Sequence, residues 1–162
     1  MSAGPGEAAE GPTVGLAGGG RRALRTAPRI EGAPVLHDYQ YAVIRCVPRV
    51  EREEFCNLGV VVHSRSAGVL DVATRLDAGR LRAFAPGLDL AAVERFCVTM
   101  DRVARSEPVP GGPPVEDLHT LAMRFGWLVA PRSTVVQTSP VHAGVSRDPS
   151  REAARLLERY CG

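Results

Sequence analysis

The sequence predicts an α+β fold: a mostly antiparallel sheet with helices packed against it, over residues 37–162, behind an irregular tail at 1–36. Three observations carry this. The β-type runs are grouped early, at Tyr39–Val47, Val60–His63 and Val69–Thr74, and helical patterns follow them instead of alternating with them. Ser64–Gly68 joins the second and third runs as a hairpin turn. A chain of 162 residues, 44% hydrophobic, suits one domain with a real core and is too short for two domains.

Residues 1–36 are rich in Gly, Ala and Pro and lack periodicity, so they cannot bury enough apolar surface to offset the entropy of ordering. Arg21, Arg22, Arg25 and Arg29 make the end of this expected disordered tail weakly basic. Tyr39–Val47 then reads as a strand apolar on both faces, with Tyr39, Tyr41, Val43 and Val47 on one and Ala42, Ile44 and Cys46 on the other. Such a strand belongs at the centre of a sheet covered on both sides. Arg45 falls on the first face, where a charge needs a partner or the solvent edge.

Pro48 has no N–H to continue the ladder. Glu51, Glu53 and Glu54 suit the first turn of a helix, where negative charge is favoured, and Gly59 suits its C-terminal cap. Asp77 caps a short helix, Ala78–Phe84, that ends at Pro86-Gly87. Asp89 caps the clearest helix, in which Leu90, Val93, Phe96, Cys97, Met100 and Ala104 recur at helical spacing. A third helix is expected over Val115–Phe125, with Val115, Leu118, Ala122 and Phe125 inward. A short strand at Trp127–Ala130, a strand at Thr134–Thr138 and a loop through Pro140, His142 and Gly144 follow. Asp148-Pro149 opens a last helix that buries Ala153, Leu156, Leu157 and Tyr160.

Two polar clusters lie at strand ends. The first holds Arg45, Arg49, Glu51, Arg52, Glu54 and Asn57; the second holds Arg132, Ser133, Thr134, Gln137, Ser139 and His142. Pairing of the strand from Thr134 with the strand from Tyr39 brings both to one end of the sheet. Arg guanidinium groups are planar, forked donors suited to phosphate or carboxylate, which makes an anion- or partner-binding site the leading expectation. It rests on Arg45, Arg49, Glu51, Asn57, Arg132, Ser133 and His142. The competing reading is an internal ion-pair network in which Arg45 and Arg49 satisfy Glu51 and Glu54.

The alternative of an enzyme acting on a phosphorylated or carboxylated metabolite would use His142 as general base and Ser133 or Cys56 as nucleophile. No nucleophile-elbow pattern surrounds a serine, and no Cys-x-x-Cys or His-Glu-x-x-His spacing points to a metal. Gly18-Gly19-Gly20 precedes no Lys-Ser/Thr, and no cofactor is implied. A net charge of +2 and sparse aromatics, 5%, argue against a nucleic-acid partner. No apolar run reaches the roughly 18 residues of a membrane span, and the N-terminus lacks a signal-peptide pattern. A cytoplasmic location is therefore expected, with Cys46, Cys56, Cys97 and Cys161 as reduced thiols. All 20 Lys-or-Arg positions are Arg, which reads as the coding bias of a high-GC bacterial source.

The chain resembles a bacterial family, domain of unknown function 3037. The resemblance rests on Tyr41-Ala42-Val43-Ile44-Arg45 with Val47-Pro48-Arg49, and on Glu51-Arg52-Glu53-Glu54-Phe55 with Asn57 and Gly59-Val60. It continues in Ala130-Pro131-Arg132-Ser133-Thr134-Val135 and Ser139-Pro140-Val141-His142, and spans roughly Asp38 to Tyr160. Where the family carries aliphatic residues after Arg45 and after Phe55, this chain has Cys46 and Cys56. The resemblance implies a small cytoplasmic protein, supplies no catalytic residues, and hints at a HipA-type kinase as a partner.

Overall fold

One strand, β1 (His37–Cys46), touches most of the sheet. The computed structural model describes residues 34–162, so the expected tail lies almost wholly outside the described residues, as do its four arginines. On one edge β1 pairs antiparallel with β2 (Cys56–Ser64), which pairs in turn with β3 (Val69–Thr74). On its other edge β1 meets two short strands end to end. β4 (Val136–Thr138) takes Ile44–Cys46, and β5 (His142–Ser146) takes His37–Tyr41. The mostly antiparallel α+β sheet read from the sequence is thus the one observed, with five strands.

Helices cover both faces, which explains why β1 is apolar on both. Ala42, Ile44 and Cys46 join one core with Leu81 of α1 (Ala78–Phe84), with Val93, Cys97 and Met100 of α2 (Leu90–Ala104), and with Phe125 and Leu128 of α3 (Leu121–Val129). Tyr39 and Val43 join a second core, with Val60, Val62, and Ala153 and Leu156 of α4 (Glu152–Cys161). Asp77 and Asp89 cap α1 and α2 as their positions predict, each accepting a backbone N–H from three residues on.

Several boundaries differ from expectation. After Pro48 the chain forms only a short 3-10 turn, Val50–Arg52, that holds Glu51 alone of the three glutamates, because Glu53 adopts φ 54° and reverses the chain. Gly59 caps no helix; it sits inside β2, where a Cβ would lie 2.3 Å from the Ala73 carbonyl oxygen. Ile44 faces Gly59 while Arg45 faces Asn57, so Leu58 is the extra residue of a β-bulge, and it turns into the first core. Val115–Leu118 is a separate 3-10 turn, and Thr120 starts α3 by accepting from the Met123 N–H. This shift exposes Ala122 and places Trp127 in the last turn of α3 instead of in a strand. The expected loop at His142 is strand β5. Ser139 makes that possible: its N–H donates to the Val43 carbonyl and its Oγ accepts the Val43 N–H, which satisfies the edge where Pro140 cannot donate.

His63 is a buried polar residue of β2, 7% exposed, with its ring stacked 5.0 Å from Phe125. Burial, reinforced by nearby Arg65, holds its pKa below the ordinary 6.5. The unfolded chain therefore binds a proton that the folded chain resists, so stability present above pH 6.5 is lost as pH falls from 6.5 through the folded value. The melting temperature should fall between pH 7 and pH 5, with a shallower slope in His63→Gln. Parallel slopes in the two proteins would assign the acid sensitivity elsewhere.

Candidate functional site

β1 aims Arg45 at the α4 face of the sheet, two residues beyond Val43. Its guanidinium lies over the Phe55 ring, 4.1 Å from the centroid. Phe55 reaches that position because Pro48 stops the ladder, the 3-10 turn follows, and Glu53 folds the chain back. Arg45 Nε is buried and has no hydrogen-bond partner. Among the described residues no carboxylate oxygen lies within 4.0 Å of this guanidinium. The ion pair found in the connection is Arg52 with Glu54 at 3.9 Å, between exposed side chains. The internal network of Arg45 and Arg49 with Glu51 and Glu54 is therefore not formed. Arg45 instead lines a cleft of about 330 Å³ with Val47, Val50, Glu53, Phe55, Gln137 and Thr138.

Asn57 faces Arg45 across the strands. Its Nδ2 donates to the Tyr160 carbonyl at 3.1 Å, while its Oδ1 is buried without a partner. Tyr160 also meets Tyr41, hydroxyl to hydroxyl at 3.0 Å. That hydrogen bond, with burial second, raises the Tyr41 pKa above its ordinary value. His142 pairs with Tyr41 on β5 and stacks on its ring at 5.1 Å, with the imidazole exposed. Arg45, Asn57, Tyr41, Tyr160 and His142 thus share the α4 side of the sheet.

The other predicted residues lie elsewhere. Arg49 is exposed and lines a separate cleft of about 520 Å³, with Arg52, Glu54 and the turn between α1 and α2. Glu51 is exposed in the 3-10 turn. Arg132 closes the end of α3: it donates to the carbonyls of Trp127 at 2.6 Å, Leu128 at 3.1 Å and Ala130 at 3.2 Å. Its guanidinium covers the Trp127 ring at 4.4 Å and Phe96 at 5.6 Å, on the α2–α3 side, and burial lowers its pKa. The two predicted clusters therefore meet through backbone, as β4 pairs with β1, but their arginines project to opposite faces. Ser133 is exposed in the loop before β4.

Strand register also separates the proposed catalytic groups. His142 lies opposite Tyr41, whereas the chain near Ser133 runs beside Val47, whose N–H donates to the Val135 carbonyl. Six residues of strand separate these levels, about 20 Å. Cys56 is buried opposite Cys46, five residues from Tyr41, about 16 Å. Neither pair is a nucleophile–base dyad. Among the described residues no group of three or more His, Cys, Asp or Glu side chains is placed to hold a metal. None of the described helices is long and apolar enough to cross a membrane.

Residues 41–161 match the family described as a protein of unknown function (DUF3037). The chain belongs to this family. No curated protein and no solved structure matches it. In this DUF3037 chain the matched region begins at Tyr41 and ends at Cys161, so it includes both Arg45 and Tyr160. Phe55 and Tyr160 were absent from the expected site. Tyr41 was a readable signal, since alternation along β1 already places it on the face of Arg45, but contact with Tyr160 depends on how α4 docks.

Proposed function

We propose that this chain is a small accessory binding protein whose site is the Arg45 cleft, and that the cleft takes a carboxylate or phosphate group. One observation carries the reading: a guanidinium stacked on an aromatic ring, with no carboxylate oxygen within 4.0 Å among the described residues. An anionic group in the cleft would pair with the guanidinium through its fork of N–H donors. Gln137, whose amide also donates to the Thr134 carbonyl at 2.9 Å, lines the same cleft with Thr138 and Glu53. That carboxylate favours a ligand whose anionic group stands beside an amine or amide, as in a peptide segment, over a bare inorganic anion. A partner protein, such as the HipA-type kinase suggested by the resemblance, fits this chemistry. The enzyme alternative has no comparable support, because its base and nucleophiles stand at different levels of the sheet.

A thermal-shift screen with phosphates, nucleotides, carboxylates and short peptides tests the reading. A ligand at 100 times its dissociation constant should stabilise the protein by about 2.7 kcal/mol. The shift should vanish in Arg45→Ala, whose own stability should change by about 1 kcal/mol or less, since one exposed-edge cation–π contact is lost. Arg45→Lys should retain only part of it, having no fork. Unfolding of Arg45→Ala, or an undiminished shift, would make Arg45 a structural residue and end the proposal.

A further inference from the structure

Cys46 and Cys56 are direct partners across β1 and β2. Opposed residues on antiparallel strands have Cα atoms about 4.5–5.5 Å apart, within the roughly 4.4–6.8 Å that a disulfide spans. Both are free thiols in one core, Cys46 0% and Cys56 5% exposed, and they bracket the connection 47–55 that carries Arg49 and Phe55. We propose that Cys46 and Cys56 form a reversible dithiol–disulfide pair, an oxidative modification site that fastens the two ends of this connection.

The two sulfurs have different surroundings. Cys56 lines a cleft of about 240 Å³ with Asn57, Arg75, Arg80 and Cys161, which gives a small oxidant a way in. Cys46 is sealed inside, where burial, with Cys56 beside it, pushes its thiol up to about 11. A peroxide therefore meets Cys56 first. The Cys56 thiolate attacks one peroxide oxygen, the O–O bond breaks, and a sulfenic acid and hydroxide result. The Cys46 sulfur then attacks the Cys56 sulfur; the S–O bond breaks, and the departing hydroxide takes the Cys46 proton as water. Two thiols and one hydrogen peroxide give one disulfide and two waters.

Cys161 shares the cleft with Cys56 and is the rival partner. Strand pairing fixes Cys46 opposite Cys56, whereas Cys161 stands on a different element, the last turn of α4.

The full chain, treated with hydrogen peroxide, denatured, alkylated and digested after arginine, should give residues 46–49 linked to residues 53–65. The linked species should be lighter than the two reduced peptides by two hydrogens, and dithiothreitol should abolish it. The same link should form in Cys97→Ala/Cys161→Ser, and Cys46→Val should leave Cys56 unlinked. A Cys56–Cys161 link in the unaltered chain would overturn the proposal. So would a reduced Cys46 at a peroxide dose that fully oxidises the urea-unfolded chain. The readout needs no ligand and is independent of the Arg45 site.

Discussion

Arg132→Ala should destabilise the protein by about 3 kcal/mol, although a sequence reading places this arginine in the binding site. The guanidinium donates to three carbonyls at the end of α3, where a helix runs out of its own N–H donors; that of Trp127 also accepts the Ala130 N–H at 3.4 Å. Hydrogen bonds to a charged donor contribute about 1.5–3 kcal/mol each when measured singly and are not additive. Stacking on Trp127 and Phe96 adds to them. Arg132→Lys should recover little, because its donors share one nitrogen and lack the planar spread that spans these carbonyls and covers the rings. Urea unfolding of the three proteins measures this directly. A variant with the stability of the parent and a lost ligand response would return Arg132 to the binding site.

Gly59→Ala should cost about 3 kcal/mol or more, the upper end of overpacking effects. The added methyl meets the Ala73 carbonyl oxygen at 2.3 Å and the Thr74 Cα at 2.9 Å, which are backbone atoms of β3 held by the strand ladder. Either β3 moves away or the bulge at Leu58 is lost, and Leu58 is 1% exposed in the first core. Gly144 gives a useful contrast. A methyl there meets the Tyr39 ring, a side chain, at 2.5 Å, but that ring is itself buried and hydrogen-bonded to Arg155. Gly144→Ala should therefore also destabilise, through the second core, by about 1–3 kcal/mol. A Gly59→Ala protein that unfolds at the parent's urea midpoint would show that β3 yields freely.

Periodicity made the core legible. The apolar faces of β1 and the stripe of α2 are patterns of single elements, and both are buried as read. Arg45 was legible for the same reason, as a charge within an apolar alternation. Arg132 was not, because its hydrogen bonds run to the end of a helix whose last turn, around Trp127, reads locally as a strand. β-branched and aromatic residues favour strands only weakly, and the docking of α3 decides the matter. Gly59 misled for another cause: a glycine after charged residues resembles a helix cap, and only the approach of β3 reveals its use. β5 is short and contains a glycine, so its pattern is too brief to separate from a loop.

The order in which the chain can assemble follows from where β1 finds its partners. β2 and β3 are its near neighbours in sequence, and a meander of β1, β2 and β3 closes only short loops. β4, β5 and α4 reach the same strand from about a hundred residues away, contacts that form slowly because ordering precedes reward. Asn57 gains its Tyr160 carbonyl, Tyr41 its hydroxyl partner and Arg45 its Gln137 neighbour only at that later step. A meander of β1, β2 and β3 alone holds the arginine but lacks the Gln137 and Thr138 wall of its cleft. The surroundings of Arg45 are complete only once residues 136–160 have docked on β1 and β2.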